Sequence, residues 1–397
     1  MLRGATLPDG RRVDVTVDGE TISAVDDHQP GDGVDLDGYV LLPAAVEPHA
    51  HLDKAFLADL VLNETGDLLG AIQAMEAARG RINVAETVVR AERAARLMAS
   101  NGFRAVRTHV DVNPATGIDG VESLTEVRRR LAGVIDIQIV ALAAHPIATS
   151  EAAKSRELIH QALDAGADLV GGCPHLEPDG NSLVSTETLL GIAAEHGVGV
   201  DLHTDETLEP TADGLAELAA MVTATGFEHP VTASHCVSLG ARAEVDQRRI
   251  AEAVAAAGIA VIALPATNLY LQGRAHAQST PRGVTAVRAL RSAGAIVAAG
   301  ADNLHDPFNP FGRACPFETA ALMVLTTHLL PSEAWQCVTD DAAAAIGLER
   351  HSVAVGQPAD LLAVRAGSLR EAIAFGPADR IVWRAGLRHT GQGQDRL

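Results

Sequence analysis

Cysteine, lysine and aromatic residues are all scarce in this chain, and each shortage removes a class of explanation. There are four cysteines in 397 residues (Cys173, Cys236, Cys315, Cys337), and no two form a C-x-x-C pair. That excludes a disulfide framework and leaves a thiolate zinc site without support. Basic residues number 31 against 51 acidic ones, for a formal charge of -20, and only Lys54 and Lys154 are lysines. An acidic surface repels phosphate backbones, so nucleic acid is not an expected partner. No uncharged apolar run of about 18 residues occurs, so no membrane span is expected. The opening Met1-Leu2-Arg3-Gly4-Ala5-Thr6-Leu7-Pro8-Asp9-Gly10 lacks the apolar core of a signal peptide, and a cytoplasmic protein is expected.

What is present is a β/α rhythm between two β-rich ends. Val13 to Ile22 reads as a hairpin turning at Asp18-Gly19, and Val34 to Leu42 continues the alternation. Residues 359–364 and 380–386 return to it. Neither end can bury a core alone, so residues 1–43 and 348–397 are expected to form one small β-sandwich. Residues 44–347 hold eight short apolar strand candidates, at 44–51, 104–111, 136–143, 168–173, 198–204, 231–236, 259–264 and 295–301. Ala- and Arg-rich helical stretches separate them, many ending at glycine. Apolar strands alternating with amphipathic helices imply a covered parallel sheet. Eight units predict an α/β fold, a (β/α)8 TIM barrel. An open doubly wound sheet is the alternative, but no Gly-x-Gly-x-x-Gly turn follows the early strands. Residues 57–84 form a long, helical excursion after the first strand.

The chemistry falls at strand ends, where a (β/α)8 barrel keeps its active site. His49 and His51 are separated by one residue, so in a strand they point to the same side. His203, Glu206, His235 and Asp302 follow at the ends of strands five, six and eight. Taken singly, each has a plain reading: core histidines, a solvated glutamate, a turn at Asp302-Asn303. Taken together, His49, His51, His203 and Asp302 are three imidazoles and a carboxylate suited to one divalent metal ion, Zn2+ or Fe2+, with a position left for water. Such an ion makes hydroxide available near neutral pH. In that arrangement Asp302 also takes a proton from the water, Glu206 carries a proton to a leaving nitrogen, and His235 orients the hydroxide or polarises the electrophile. His109 and Asp111 face inward by parity and read as supports.

Pro48-His49-Ala50-His51-Leu52-Asp53-Lys54, Arg107-Thr108-His109-Val110-Asp111, His203-Thr204-Asp205-Glu206, Ala233-Ser234-His235, Leu271-Gln272-Gly273-Arg274 and Asp302-Asn303-Leu304-His305-Asp306-Pro307-Phe308 resemble the amidohydrolase superfamily, most of all its cytosine deaminase branch. The resemblance spans about residues 1–390. It implies a single metal on His49, His51, His203 and Asp302, with Glu206 as proton shuttle and His235 beside the hydroxide. It also implies hydrolytic deamination of a small nitrogen heterocycle with release of ammonia. Dinuclear members use a carbamylated lysine, usually after strand four. Here that end reads Gly171-Gly172-Cys173-Pro174-His175, which argues for one ion.

Two departures concern the substrate. Cytosine deaminases carry a glutamine after strand three and a second acidic residue after the metal aspartate. This chain has Leu142-Ala143-Ala144-His145-Pro146 and Asn303. A site that reads one ring edge rejects rings leaving its groups unpaired, so the expected substrate is not cytosine itself. His145 and Asn303 are the candidate replacements, and Phe308 is a candidate platform for a flat ring or else a brace for loop eight. The alternatives are removal of an alkylamine from a triazine, opening of a cyclic amide, or a scaffold without catalysis. No macromolecular partner or membrane is implied, and a homo-oligomer is compatible with the pattern.

Overall fold

The computed structural model describes every residue except Gly391, Gln392 and Leu397, so those three positions of the expected 348–397 segment lie outside the described residues. All eight expected barrel strands form: Ala45–Ala50, Phe103–Val112, Asp136–Ala143, Leu169–Gly172, Val200–Thr204, Val231–His235, Ala260–Ala263 and Val297–Ala299. They pair in parallel, each with its sequence neighbour. Two backbone hydrogen bonds close the ring: Asp302 N–H donates to the His49 carbonyl (3.0 Å), and His51 N–H to the Asp302 carbonyl (3.1 Å).

The second strand shows why these segments behave so. Its residues Val106 and Val110 pack outward on the helices, while Arg107, His109 and Asp111 alternate inward. The barrel floor is apolar: Val46, Ala105, Ile262 and Ala298 meet Ala342, Ala343 and Ile346 at the helix Asp340–Ala345. Polar residues therefore occupy only the middle and upper interior. Glu47 ties the closure together, accepting hydrogen bonds from the backbone of Ala301 (3.0 Å) and His49 (3.2 Å), and burial pushes its carboxyl up to about 8. A Cβ on Gly300 would lie 2.5 Å from its Oε1, which accounts for glycine there.

The two chain ends share one mixed sheet, joined where Tyr39–Pro43 pairs antiparallel with Leu361–Arg365. It curls around Leu2, Val13, Ile22, Leu41, Leu361 and Trp383. The hairpin between Arg12–Asp18 and Thr21–Asp27 turns at Gly19-Glu20, one residue later than expected. Gly19 takes the positive φ of 59° that the turn requires. The excursion after the first barrel strand contains the helix Leu68–Ala78, capped by Asp67, whose carboxylate accepts from Gly70 N–H (2.8 Å). No helix among the described residues is long and apolar enough to cross a membrane.

Candidate active site

Five histidines from four strand ends meet inside the barrel. His49, His51, His109, His203 and His235 are all buried. The His49 ring lies 4.0 Å from that of His109, 4.7 Å from that of His203 and 5.3 Å from that of His51. Burial first, and then the neighbouring ring or lysine charges, hold His49, His51 and His203 well below the usual histidine range, so these rings are neutral and carry lone pairs. His51 Nε2 is 3.2 Å from His203 Nε2 and 3.3 Å from Asp302 Oδ1, and His49 Nε2 is 3.6 Å from the same oxygen. Ligand atoms about 2.0–2.1 Å from one ion stand roughly 3.3–3.4 Å apart in a tetrahedral set. His49 Nε2 and His235 Nε2, which both face Asp302, find no hydrogen-bond partner, an expensive condition for buried polar atoms unless something else engages them. The donor set fits a metal ion.

Hydrogen bonds from deeper in the barrel set the His49 tautomer. Asp201 can only accept, so Ser234 Oγ donates its one proton to Asp201 Oδ1 (3.0 Å). Ser234 must then accept from His49 Nδ1 (2.9 Å), which leaves Nε2 unprotonated. Asp201 is held in turn by the Arg107 guanidinium (2.8 Å), which also donates to Thr232 and Gln138. Arg107 and Asp201 are both fully buried. Arg107→Ala, which strands that carboxylate, is expected to cost about 3–5 kcal/mol. Urea denaturation at neutral pH measures it.

His235 is arranged in the same way. Its Nδ1–H donates to Asn268 Oδ1 (2.9 Å), and its Nε2 faces Asp302 Oδ2 at 3.9 Å. Thr285 Oγ1 donates to its carbonyl. His235 and Asp302 both hold positive φ, 67° and 63°, strained values that aim their side chains into the barrel mouth. Glu206 lies two residues beyond the fifth strand, with Oε1 3.5 Å from His235 Nδ1. Burial, and secondarily the charge of Asp302, raises its carboxyl well above the usual range. It is a buried acid poised to hold a proton.

These groups open into a cavity of about 350 Å³ walled by strand-end residues and by the helix Leu68–Ala78. His145, Asn303 and Phe308 all lie on its wall. The polar atoms of the first two are largely engaged within the protein. His145 Nδ1 meets Glu177 (2.6 Å), and its Nε2 accepts from Cys173 N–H (2.8 Å). Asn303 accepts from Thr267 Oγ1 (3.0 Å) and donates to Asp306 (3.0 Å). Phe308 packs beside Leu57, Val61 and Met75. Three other phenylalanines lie near these strand ends: Phe317 stacks on Trp335 in the core, Phe56 sits under Arg93, and Phe311 is exposed.

Three wall residues were not singled out for substrate contact. Lys54 donates to Asp111 (2.7 Å) and Asp53 (3.4 Å) and lies 3.3 Å from His51 Nδ1. The cavity also reaches Asp111 and Cys173. Lys54 directly follows the histidine pair and is one of two lysines, a signal available in the sequence. Its pairing with Asp111, 57 positions away, was not.

A barrel with neutral histidines and an acid at its mouth defines a hydrolase. The chain belongs to the amidohydrolase family, whose model matches residues 59–388, and it acts on carbon–nitrogen bonds as that family does. It is 33% identical over 359 residues to a pterin deaminase of Rhizobium rhizogenes, covering 89% of this chain and 81% of that protein. Its fold superimposes on 5-methylcytosine deaminase from Klebsiella pneumoniae liganded with 5-fluorocytosine, with a TM-score of 0.88 and 28% identity over 100% of this chain and 97% of that one. It also matches N-isopropylammelide isopropylaminohydrolase from Burkholderia multivorans, at a TM-score of 0.82 and 28% identity over 97% and 96% of the two chains.

Proposed function

We propose that this chain is a mononuclear, metal-dependent deaminase that hydrolyses an aminated nitrogen heterocycle, of the pterin type rather than cytosine, and releases ammonia. The observation that carries this reading is the pairing of lone pairs with an acid: neutral His49, His51 and His203 with Asp302, and Glu206 beside them. When bound by those four residues, a Zn2+ or Fe2+ ion supplies Lewis acidity and lowers the pKa of water. Asp302 Oδ2 receives the water's proton. His235 Nε2, its tautomer set by Asn268, accepts a hydrogen bond from the attacking oxygen. Glu206, protonated at the start, donates to the ring nitrogen beside the attacked carbon, then takes the proton of the added hydroxyl and passes it to the departing amine, and the proton held on Asp302 restores it. The cavity wall excludes bulk water, which strengthens each of these contacts.

The single-ion reading rests on the fourth strand end, where Cys173 occupies the wall and the strand end itself carries no lysine, while Lys54 is taken up by Asp111 and Asp53. The preference for a two-ring substrate rests on the relative at 33% identity and on the absence of a free glutamine-like amide at His145 or Asn303. Phe308 offers its face to the ring. The same reading keeps the enzyme in the cytoplasm, with all four cysteines free. Removal of an alkylamine from a triazine is the second reading, favoured by the likeness to the isopropylammelide enzyme. Only the leaving amine differs. Metal-loaded protein incubated with pterin, cytosine, 5-methylcytosine and N-isopropylammelide separates them. Ammonia from pterin is the expected result. Isopropylamine alone selects the second reading, and ring opening without amine release contradicts both.

A further inference from the structure

The cavity does not end at the reacting groups. A side pocket of about 80 Å³ adjoins it, and Lys54, Met75, Arg79 and Asp111 line both chambers. Arg79 directly follows the helix Leu68–Ala78, whose cavity side presents Leu68, Ile72 and Met75. At four residues beyond Met75, it continues that face. It is the one basic side chain the helical lid brings to the cavity.

Arg79 is half-buried, and among the described residues its side chain makes no hydrogen bond or ion pair. Of the other charges on the two walls, Glu76 and Asp119 are acidic and also unpaired among the described residues, and no basic group but Arg79 is free. Lys54 is held between Asp111 and Asp53. Asp111 feels the field of Arg79 but takes its hydrogen bond from Lys54. Arg90, below the side pocket, is tied to the carbonyls of Asp53 and Ala55 and to Glu86. A guanidinium that lines the cavity with its five donors free of protein partners can offer them to a ligand. Its planar fork matches a carboxylate.

Building on the deaminase reading, we propose that the substrate is a heterocycle bearing a carboxylate on the side remote from the reacting carbon, and that Arg79 binds that carboxylate where the side pocket adjoins the cavity. The amino edge then faces Glu206 and Asp302, while the carboxylate reaches the lid. The small side pocket admits a carboxylate or a short chain, not a second large ring. Arg79 is thereby a specificity-determining residue, and its contact draws the lid helix onto the ring.

A matched pair tests this: pterin and pterin-6-carboxylate. The wild-type enzyme is expected to favour the carboxylated ring in kcat/KM by about tenfold or more, mainly through KM. In Arg79→Gln the ratio should fall to near one, with Arg79→Lys between. A wild-type ratio at or below one, or a preference that survives Arg79→Gln, overturns the proposal. Fluorescence titration of both pterins against metal-loaded protein separates this from the deaminase reading. If neither ring is deaminated, that reading fails. Tighter binding of the carboxylate, lost in Arg79→Gln, still upholds the role of Arg79, and equal Kd values refute it.

Discussion

Glu206→Gln is expected to lower kcat by about 10²–10⁴-fold, the range for a lost general acid–base, while leaving the metal content of the protein unchanged. The glutamine keeps the shape and a hydrogen-bonding amide but cannot deliver a proton. Glu206 Oε1 stands 3.5 Å from His235 Nδ1, and His235 already donates to Asn268, so no other side chain takes over the transfer. The raised pKa of Glu206 gives the prediction a sign with pH. A carboxyl raised by burial stays protonated above the usual range, so activity that depends on its proton falls as pH rises through that raised value. This alkaline limb should be missing from whatever activity Glu206→Gln retains. An enzyme with near-native kcat after this change would remove Glu206 from the chemistry.

Loss of a ligand should act earlier in the chain of causes. His203→Ala and Asp302→Ala are each expected to abolish metal binding and turnover together, because four donors from three strand ends share one centre. Asp302 stands 3.3 Å from His51 and 3.6 Å from His49, so its removal also leaves two buried lone pairs facing each other without a common partner. Metal analysis of the purified variants, read beside ammonia release, checks this. A variant that keeps its metal but loses turnover would shift that residue from ligand to positioning group. The His109 ring stacks on His49, and with His49 and His203 it forms one triad close enough to hold an ion, as do His49, His235 and Asp302.

Much of this was legible in the sequence because the relevant signals are local. A barrel strand is a short apolar run, and parity carries His49 with His51 and Arg107 with His109 and Asp111. What was not legible depends on partners far apart in the chain. The Arg107–Asp201–Ser234–His49 relay spans strands one, two, five and six, and no window of sequence contains it. His145 and Asn303 looked like substrate readers because their positions were right. Glu177, Cys173 and Thr267, which engage their polar atoms, come from elsewhere in the chain, and only Asp306 is local to Asn303. The helix Leu68–Ala78 was legible as a helical excursion, but its place over the cavity, and the exposure of Arg79 to it, follow only from tertiary packing.

The central claim is that one ion, held by His49, His51, His203 and Asp302, supports the release of ammonia from a heterocycle. Titrating metal-free protein with Zn2+ while following ammonia release from pterin tests it most directly. The account predicts that activity rises linearly and reaches its plateau at one equivalent, with one ammonia formed for each ring consumed. A plateau at two equivalents, or ring consumption without ammonia, would contradict it.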